Sequence, residues 1–336
     1  MMEPKKQAVG VIGSGSWATA MVKMLSDNTT EKAIYWWVRN RQTAEYIRTY
    51  KHNPNYLSAV TVKVPKRHIH ADVRTVVEHA DILILNTPSA FLKAALHGVT
   101  PQMLEGKIIV SAIKGIVPDE NQIVGDYLQH QLGVDIDRIA VIGGPCHAEE
   151  VSLEKLSYLT VASQNVEVAS RVARLIGTRY IKTNVSDDIY GTEYAAVLKN
   201  IYAVAGGMCH GVGFGDNFQA VLVSNALREM AHFANVVHPM VRDIKESVYL
   251  GDLLVTAYSQ FSRNRTFGNM IGKGYTVKSA QLEMNMVAEG YYAASCIEQI
   301  CRAHDIELPI CRAVYRVLYE HQSPIVEMKL LADKLN

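Results

Sequence analysis

A lysine inside an apolar run is the first residue of this chain that could do chemistry. Lys199-Asn200 directly follows Tyr194-Ala195-Ala196-Val197-Leu198 within a helical pattern. A lysine so placed either snorkels its ammonium to solvent or serves as an acid or base. Gly251-Asp252-Leu253-Leu254 sets an aspartate at the start of another apolar helix, where it is either an ordinary N-cap or a functional carboxylate. Ser262-Arg263-Asn264-Arg265, followed by Phe267-Gly268, is a dense polar cluster. It reads as a solvated turn or as a phosphate-binding loop built on bidentate guanidinium contacts.

A second constellation lies at the other end of the chain. Gly13-Ser14-Gly15-Ser16-Trp17-Ala18 follows the apolar run Ala8–Ile12, and helical periodicity begins at Thr19. A second apolar run, Ala33–Val38, comes next. Strand, glycine turn, helix and strand in this order lay out a dinucleotide-binding βαβ unit. Gly13 would permit the sharp turn, and Gly15, without a Cβ, would let the backbone approach a pyrophosphate. Ala18 stands where a third glycine is usual, its methyl still small enough for helix–strand packing. Ser16 and Trp17 open the helix whose backbone N–H groups would face the diphosphate. At the end of the second strand the acid that would bind an NAD ribose is missing. Arg39, Asn40 and Arg41 stand there instead. Two arginines lean toward the 2′-phosphate of NADP, or toward use of either NAD or NADP. An Arg39 that stacks on adenine or faces solvent is the other reading.

The elements that must position these residues follow from periodicity. Near-continuous apolar runs at 81–86, 107–112, 138–145 and 158–162 alternate with helical stretches such as 91–96 and 121–132. That alternation predicts a mainly parallel sheet covered on both faces, with its ligand crevice beyond the carboxyl ends of the strands. Pro88, Lys114 and the Gly144–Cys146 segment each follow a strand end and so become candidates to line it. After about residue 185 the pattern turns helical, at 188–205, 218–234, 287–304 and 308–319, with no convincing strand. The glycine-rich 206–215 segment reads as a shaped loop. The expected fold is α/β: an N-terminal Rossmann-type doubly wound sheet over residues 1–185 and an all-helical C-terminal domain over residues 186–336.

Composition narrows the partners. The 336 residues carry a net charge of +1 and are 49% hydrophobic. That balance gives no electrostatic case for nucleic acid or for an anionic membrane. No apolar run is long enough for stable membrane insertion, and Met1–Gln7 has no signal-peptide core. Five scattered cysteines, with neither CxxC nor zinc spacing, suit a reducing cytoplasm and no metal site. His68 and His70 sit in a basic stretch and read as solvated surface. A homodimer is the expected assembly, as the commonest choice for soluble oligomers.

The chain as a whole resembles the bacterial NAD(P)-dependent glycerol-3-phosphate dehydrogenases. The resemblance rests on motifs in order: Gly13–Ala20, Ser111-Ala112-Ile113-Lys114-Gly115, Gly144–Val151, Leu198-Lys199-Asn200, Gly211–Asn217, Gly251-Asp252-Leu253, Ser262–Gly268, Glu289-Gly290 and Glu307-Leu308-Pro309-Ile310. It implies that Lys199 is the catalytic proton donor and acceptor. It implies that Lys114, Gly144, Asp252, Ser262, Arg263 and Asn264 contact the small phosphorylated substrate, glycerol 3-phosphate, with Asn200 a further contact. It places Ser16, Trp17, Arg39, Lys114, Ala148, Arg263, Val287 and Glu289 near the cofactor, beside Gly13 and Gly15. The product would enter phospholipid synthesis. Cys146 departs from the Ser or Thr usual there, and a thiol is a poorer donor than a hydroxyl; His147 replaces the usual aromatic. The competing readings are a related two-domain hydroxy-acid dehydrogenase and a non-catalytic dinucleotide-sensing protein.

Overall fold

The computed structural model describes residues 7–30, 32–284 and 288–336. Val287, expected near the cofactor, lies outside the described residues. The chain groups into two compact units, Met1–Ile113 with Val124–Ile189, and Lys114–Ile123 with Tyr190–Asn336. Residues 114–123 therefore group with the C-terminal part and not with the sheet that surrounds them in sequence. The strands are β1 (Gln7–Ile12), β2 (Lys32–Trp37), β3 (Ile69–His70), β4 (Ile82–Leu85), β5 (Ile108–Ser111), β6 (Ile116–Val117), β7 (Gln122–Ile123), β8 (Ile139–Gly143), β9 (Ser157–Ala162) and β10 (Ile181–Ser186).

In the first unit eight strands form one sheet in the order β10-β9-β8-β5-β4-β1-β2-β3. Alternate residues of the central strands (Val9 and Val11, Ile82 and Ile84, Ile108 and Val110, Ala140 and Ile142) share one core. The residues between them, Leu83, Ile109 and Val141, are also at most 1% exposed. Both faces are therefore covered, which is why these strands are apolar throughout rather than alternating. β1 pairs in parallel with β2 on one side and β4 on the other. The strand order reverses between β1 and β4, and the carboxyl ends of such a pair bound a ligand crevice. The first helix, Ser16–Asp27, starts at that end of β1.

The sheet is mainly parallel, as expected, and its far side adds two details. β9 runs antiparallel to β8, and β10 runs parallel to β9, so two strands oppose the rest. β10 itself lies at the end of the expected 1–185 domain, where no strand was expected. It is an edge strand whose Lys182, Asn184 and Val185 are exposed, so its sequence carries no apolar run. His68 and His70 are half-buried, with the His68 ring stacked 4.3 Å from that of Tyr35.

The second unit is built around the helix Ile189–Gly211, in which every residue from Gly191 to Cys209 is buried. A helix covered on all sides has no polar face. Residues 206–211 continue this helix, so the expected loop shrinks to residues 212–215 before the helix Asp216–Val237. The glycines there serve close approach. A Cβ on Gly211 would stand 2.6 Å from the Asn269 carbonyl oxygen, and one on Gly268 would strike the Val204 carbonyl. Gly207 faces the backbone of Arg265 and Asn269, Gly268 that of Val204 and Met208, and Gly211 meets Gly272, so this helix and the helix Arg263–Gly272 pack backbone against backbone. A short antiparallel pair, β6 with β7, completes the unit, so it is not wholly helical. Among the described residues no helix is long and apolar enough to cross a membrane.

Candidate active site

The buried helix Ile189–Gly211 gives Lys199 no route to solvent. The residue is 5% exposed, and its Nζ donates to Asp252 Oδ1 at 2.5 Å and to Thr256 Oγ1 at 3.0 Å. Asp252 opens the helix Asp252–Tyr258, directly after the π-helical turn Ser247–Gly251. Thr256 lies four residues on, on the same helix face, and donates its hydroxyl proton to the Asp252 carbonyl at 2.6 Å. With its proton so committed, Thr256 turns a lone pair toward Lys199. The second Asp252 oxygen accepts from Lys114 Nζ at 3.0 Å. Asp252 therefore does not cap its helix; its carboxylate lies between two ammonium groups, 1% exposed.

Burial dominates the electrostatics of Lys199 and brings its pKa down to about 7; Asp252 opposes this and Lys114 reinforces it. A buried ammonium loses hydration that its partners only partly restore. For Asp252 burial acts upward, but Lys114 and Lys199 override it and hold the carboxyl below its ordinary value. The result is an amine able to gain or lose a proton near neutral pH beside a carboxylate that stays ionised.

A chain of side-chain amides runs beside this pair. Asn200 Nδ2 donates to the Lys114 carbonyl at 2.7 Å, Asn264 Nδ2 donates to Asn200 Oδ1 at 2.9 Å, and Gly290 N donates to Asn264 Oδ1 at 2.9 Å. The polar Ser262–Arg265 cluster is not a solvated turn. Ser262 is 4% exposed and is the N-cap of the helix Arg263–Gly272, accepting from Arg265 N. Arg263 is half-buried, with no hydrogen-bond or ion-pair partner among the described residues. Glu289 opens the helix Glu289–His304 next to Gly290. The second unit thus brings together Lys114, Lys199, Asn200, Asp252 and Asn264, with Ser262 and Arg263 immediately before Asn264 in sequence.

The remaining candidates lie in the first unit. Gly13 has φ +131°, and a Cβ there would meet the Asn86 carbonyl oxygen at 2.7 Å. Gly15 precedes the helix Ser16–Asp27 as its N-cap, with open space where a Cβ would stand. Trp17 Nε1 is buried without a hydrogen-bond partner among the described residues. A tight glycine turn, an open approach, a helix start with no side-chain cap and an orphaned indole N–H together fit a dinucleotide diphosphate. Arg39 is exposed, two residues past β2. Gly144, with φ +106°, follows β8 and packs against the Tyr158 carbonyl. Cys146 is half-buried against the sheet core, and Ala148 begins the short helix Ala148–Ser152.

Sequence reasoning missed Thr256, whose only signal is its i+4 spacing from Asp252. It also missed the groups that hold the glycine turn, Trp36 and Asn53. Trp36 Nε1 donates to the Gly13 carbonyl at 2.7 Å and Asn53 Nδ2 to that of Ser14 at 3.0 Å.

A doubly wound sheet with a glycine turn at its strand-order reversal, and a helical unit holding a buried lysine poised near neutrality, define a pyridine-nucleotide-dependent dehydrogenase. Comparison with known proteins gives the particular kind. Residues 8–169 match the family model for the N-terminus of NAD-dependent glycerol-3-phosphate dehydrogenase, and residues 188–329 match that for its C-terminus. The chain belongs to this family. It is 33% identical over 318 residues to a Salinibacter ruber protein named glycerol-3-phosphate dehydrogenase (NAD(P)+), covering 94% of this chain and 92% of that one. It is 31% identical to the Bacillus subtilis protein of that name, covering 94% and 90%. The crystal structure of glycerol-3-phosphate dehydrogenase from Coxiella burnetii superposes with a TM-score of 0.87 at 26% identity, covering 98% of this chain and 99% of that one.

Proposed function

We propose that this chain interconverts dihydroxyacetone phosphate and sn-glycerol 3-phosphate with NAD(P)H, supplying glycerophospholipid synthesis. The observation that carries the reading is Lys199, buried, paired with Asp252 and lowered to about 7. Gly13, Gly15, Ser16 and Trp17 would hold the dinucleotide, which when bound would supply the hydride for the substrate carbonyl carbon. As that carbon gains the electron pair, charge develops on the carbonyl oxygen. Lys199 meets it with an N–H: two of its three go to Asp252 and Thr256, which leaves one for the substrate. The ammonium stabilises the developing alkoxide and then gives it the proton. In the oxidative direction neutral Lys199 removes the hydroxyl proton. Asp252 and Thr256 fix the amine's direction, and Lys114 shares the load of Asp252.

Arg263 is the proposed anchor of the substrate phosphate, because its guanidinium has no partner among the described residues. Asn264 keeps one N–H for the same anion after binding Asn200, while Ser262 fixes the start of their helix. Gly144 and Cys146 remain proposed substrate contacts, through backbone more than through the thiol. Gly13, Gly15, Ser16, Trp17, Ala148 and Glu289 are assigned to the dinucleotide, and exposed Arg39 to a 2′-phosphate, which favours NADP over NAD. A guanidinium reserved for an anion favours a phosphorylated substrate over a plain hydroxy acid, and a sensor has no use for a buried lysine–aspartate pair. A cytoplasmic homodimer completes the proposal, from the scattered cysteines and the prevalence of dimers.

The test is to add dihydroxyacetone phosphate and follow NADH and NADPH oxidation separately by absorbance. Oxidation that requires the phosphate, with glycerol 3-phosphate as product, is the expected result. A cofactor-binding protein that oxidises neither with this substrate would overturn the proposal.

A further inference from the structure

The glycine turn of the first unit is held from behind, one carbonyl at a time. Trp36 Nε1 donates to Gly13 O at 2.7 Å. Asn53 Nδ2 donates to Ser14 O at 3.0 Å and to Thr19 Oγ1 at 2.9 Å, and Thr19 Oγ1 donates to Gly15 O at 3.0 Å. Trp36, Asn53 and Thr19 are each 0% exposed. The Asn53 amide is fully used, since its Oδ1 also accepts from Asn55 N at 3.1 Å. The Gly13 and Ser14 carbonyls are thus taken by buried side chains from β2 and the 51–65 loop, while the Gly15 carbonyl accepts from the Thr19 backbone N–H at 3.0 Å as well as from its hydroxyl, which also orients Asn53.

In a trans peptide the N–H points opposite to the C=O of the preceding residue. Pinning the oxygens of Gly13, Ser14 and Gly15 therefore turns the N–H groups of Ser14, Gly15 and Ser16 to the opposite side of their peptide planes. Without the pins a glycine-rich turn can rotate its peptides, and an outward carbonyl would meet an anion with its negative end. We propose that Trp36, Asn53 and Thr19 are positioning residues that fix the peptide planes of the glycine turn for the dinucleotide diphosphate. The inference rests on the reading of this turn as the dinucleotide site. It assigns to β2 and the 51–65 loop a role in cofactor affinity that involves no contact with the cofactor.

The consequence is a division between stability and affinity. In Trp36→Phe the Gly13 carbonyl loses its donor, and the Gly13–Ser14 peptide can turn outward to water in the unliganded protein. Binding must then turn it back. Calorimetric titration of the full chain with NADH and with NADPH should show Trp36→Phe about 10-fold weaker, the loss of one buried hydrogen bond, and Thr19→Val weaker by a similar factor, because it takes away the hydroxyl that holds the Asn53 amide on the Ser14 carbonyl. Thr19→Ser, which keeps the hydroxyl, should bind as the parent does. In turnover KM for the dinucleotide should rise with kcat unchanged. If Trp36→Phe fails to fold, the Thr19→Val and Thr19→Ser pair carries the same test. Parent-like affinity in both donor-deleted variants overturns the inference, as does an equal loss in Thr19→Ser. A parent chain that binds neither dinucleotide overturns the dinucleotide reading itself, a result distinct from failure of the clamp.

Discussion

Replacing Asp252 by Asn should move the pH dependence of catalysis to lower pH. The substitution keeps shape and removes the charge between Lys199, at 2.5 Å, and Lys114, at 3.0 Å. Taking one member from a buried ion pair costs about 3–5 kcal/mol when the other must stay charged. Lys199 need not stay charged, because burial already brings it to about 7; it can shed its proton, and the fold survives. A carboxylate at this distance ordinarily holds a cation's pKa up by about 1–3 units. Its loss therefore takes Lys199 down by that amount. Reduction needs the ammonium, so its rate falls as pH rises through the Lys199 pKa. At pH 7 the protonated fraction drops from about one half by about 5- to 500-fold, and kcat for reduction falls with it. The assay is kcat for dihydroxyacetone phosphate reduction across pH, for parent and Asp252→Asn, with unfolding curves for both. The falling limb should shift acidward and the rate recover at low pH. A limb that stays in place at an unchanged rate would refute the coupling.

Other consequences are separable. Arg263→Ala should raise KM for the phosphorylated substrate by about 10-fold or more while leaving dinucleotide affinity alone, the loss of a charge-assisted contact; an unchanged KM removes it as the anchor. Burial pushes the Asp27 carboxyl up, but hydrogen bonds from Lys23, Lys63 and Tyr180 bring it down to about 2. The stability this adds is present above the ordinary carboxylate range and is lost as pH falls through about 2. Asp27→Asn should therefore cost about 1 kcal/mol at pH 7 by urea unfolding, allowing for solvent screening, and nothing below pH 2. Gly268→Ala would set a methyl 2.8 Å from the Val204 carbonyl carbon and 3.0 Å from Met208 N, where only backbone can yield. It should cost about 1–3 kcal/mol of stability, and a denaturation midpoint equal to the parent's would contradict the close helix packing.

The legible part of the fold was the part written in local periodicity. β1, β2, β4, β5, β8 and β9 are apolar because both sheet faces are covered, and each appears as a run in the sequence. β10 was invisible because an edge strand with Lys182 and Asn184 exposed needs no apolar run. Residues 206–211 looked like a loop because glycine is read as a breaker. Here glycine is required where Gly211 meets the Asn269 backbone inside the buried interface of two helices. The site divides in the same way. Lys199 stood out against its apolar neighbours, but whether it snorkelled was decided by a helix buried on every side, a tertiary fact. Asp252 looked like an N-cap because its role depends on lysines 53 and 138 residues away in sequence. The sign of the Lys199 shift likewise depended on burial outweighing Asp252, which no spacing reveals.

The central claim is that Lys199 moves the proton, and Lys199→Ala tests it most directly. A positioned general acid contributes about 10²–10⁴-fold. The account predicts that kcat for dihydroxyacetone phosphate reduction falls by at least ~10²-fold with NADH affinity close to the parent's, in a variant whose cooperative unfolding curve shows that it is folded, though less stable for want of one partner to Asp252. A folded variant with a near-parental kcat would contradict it.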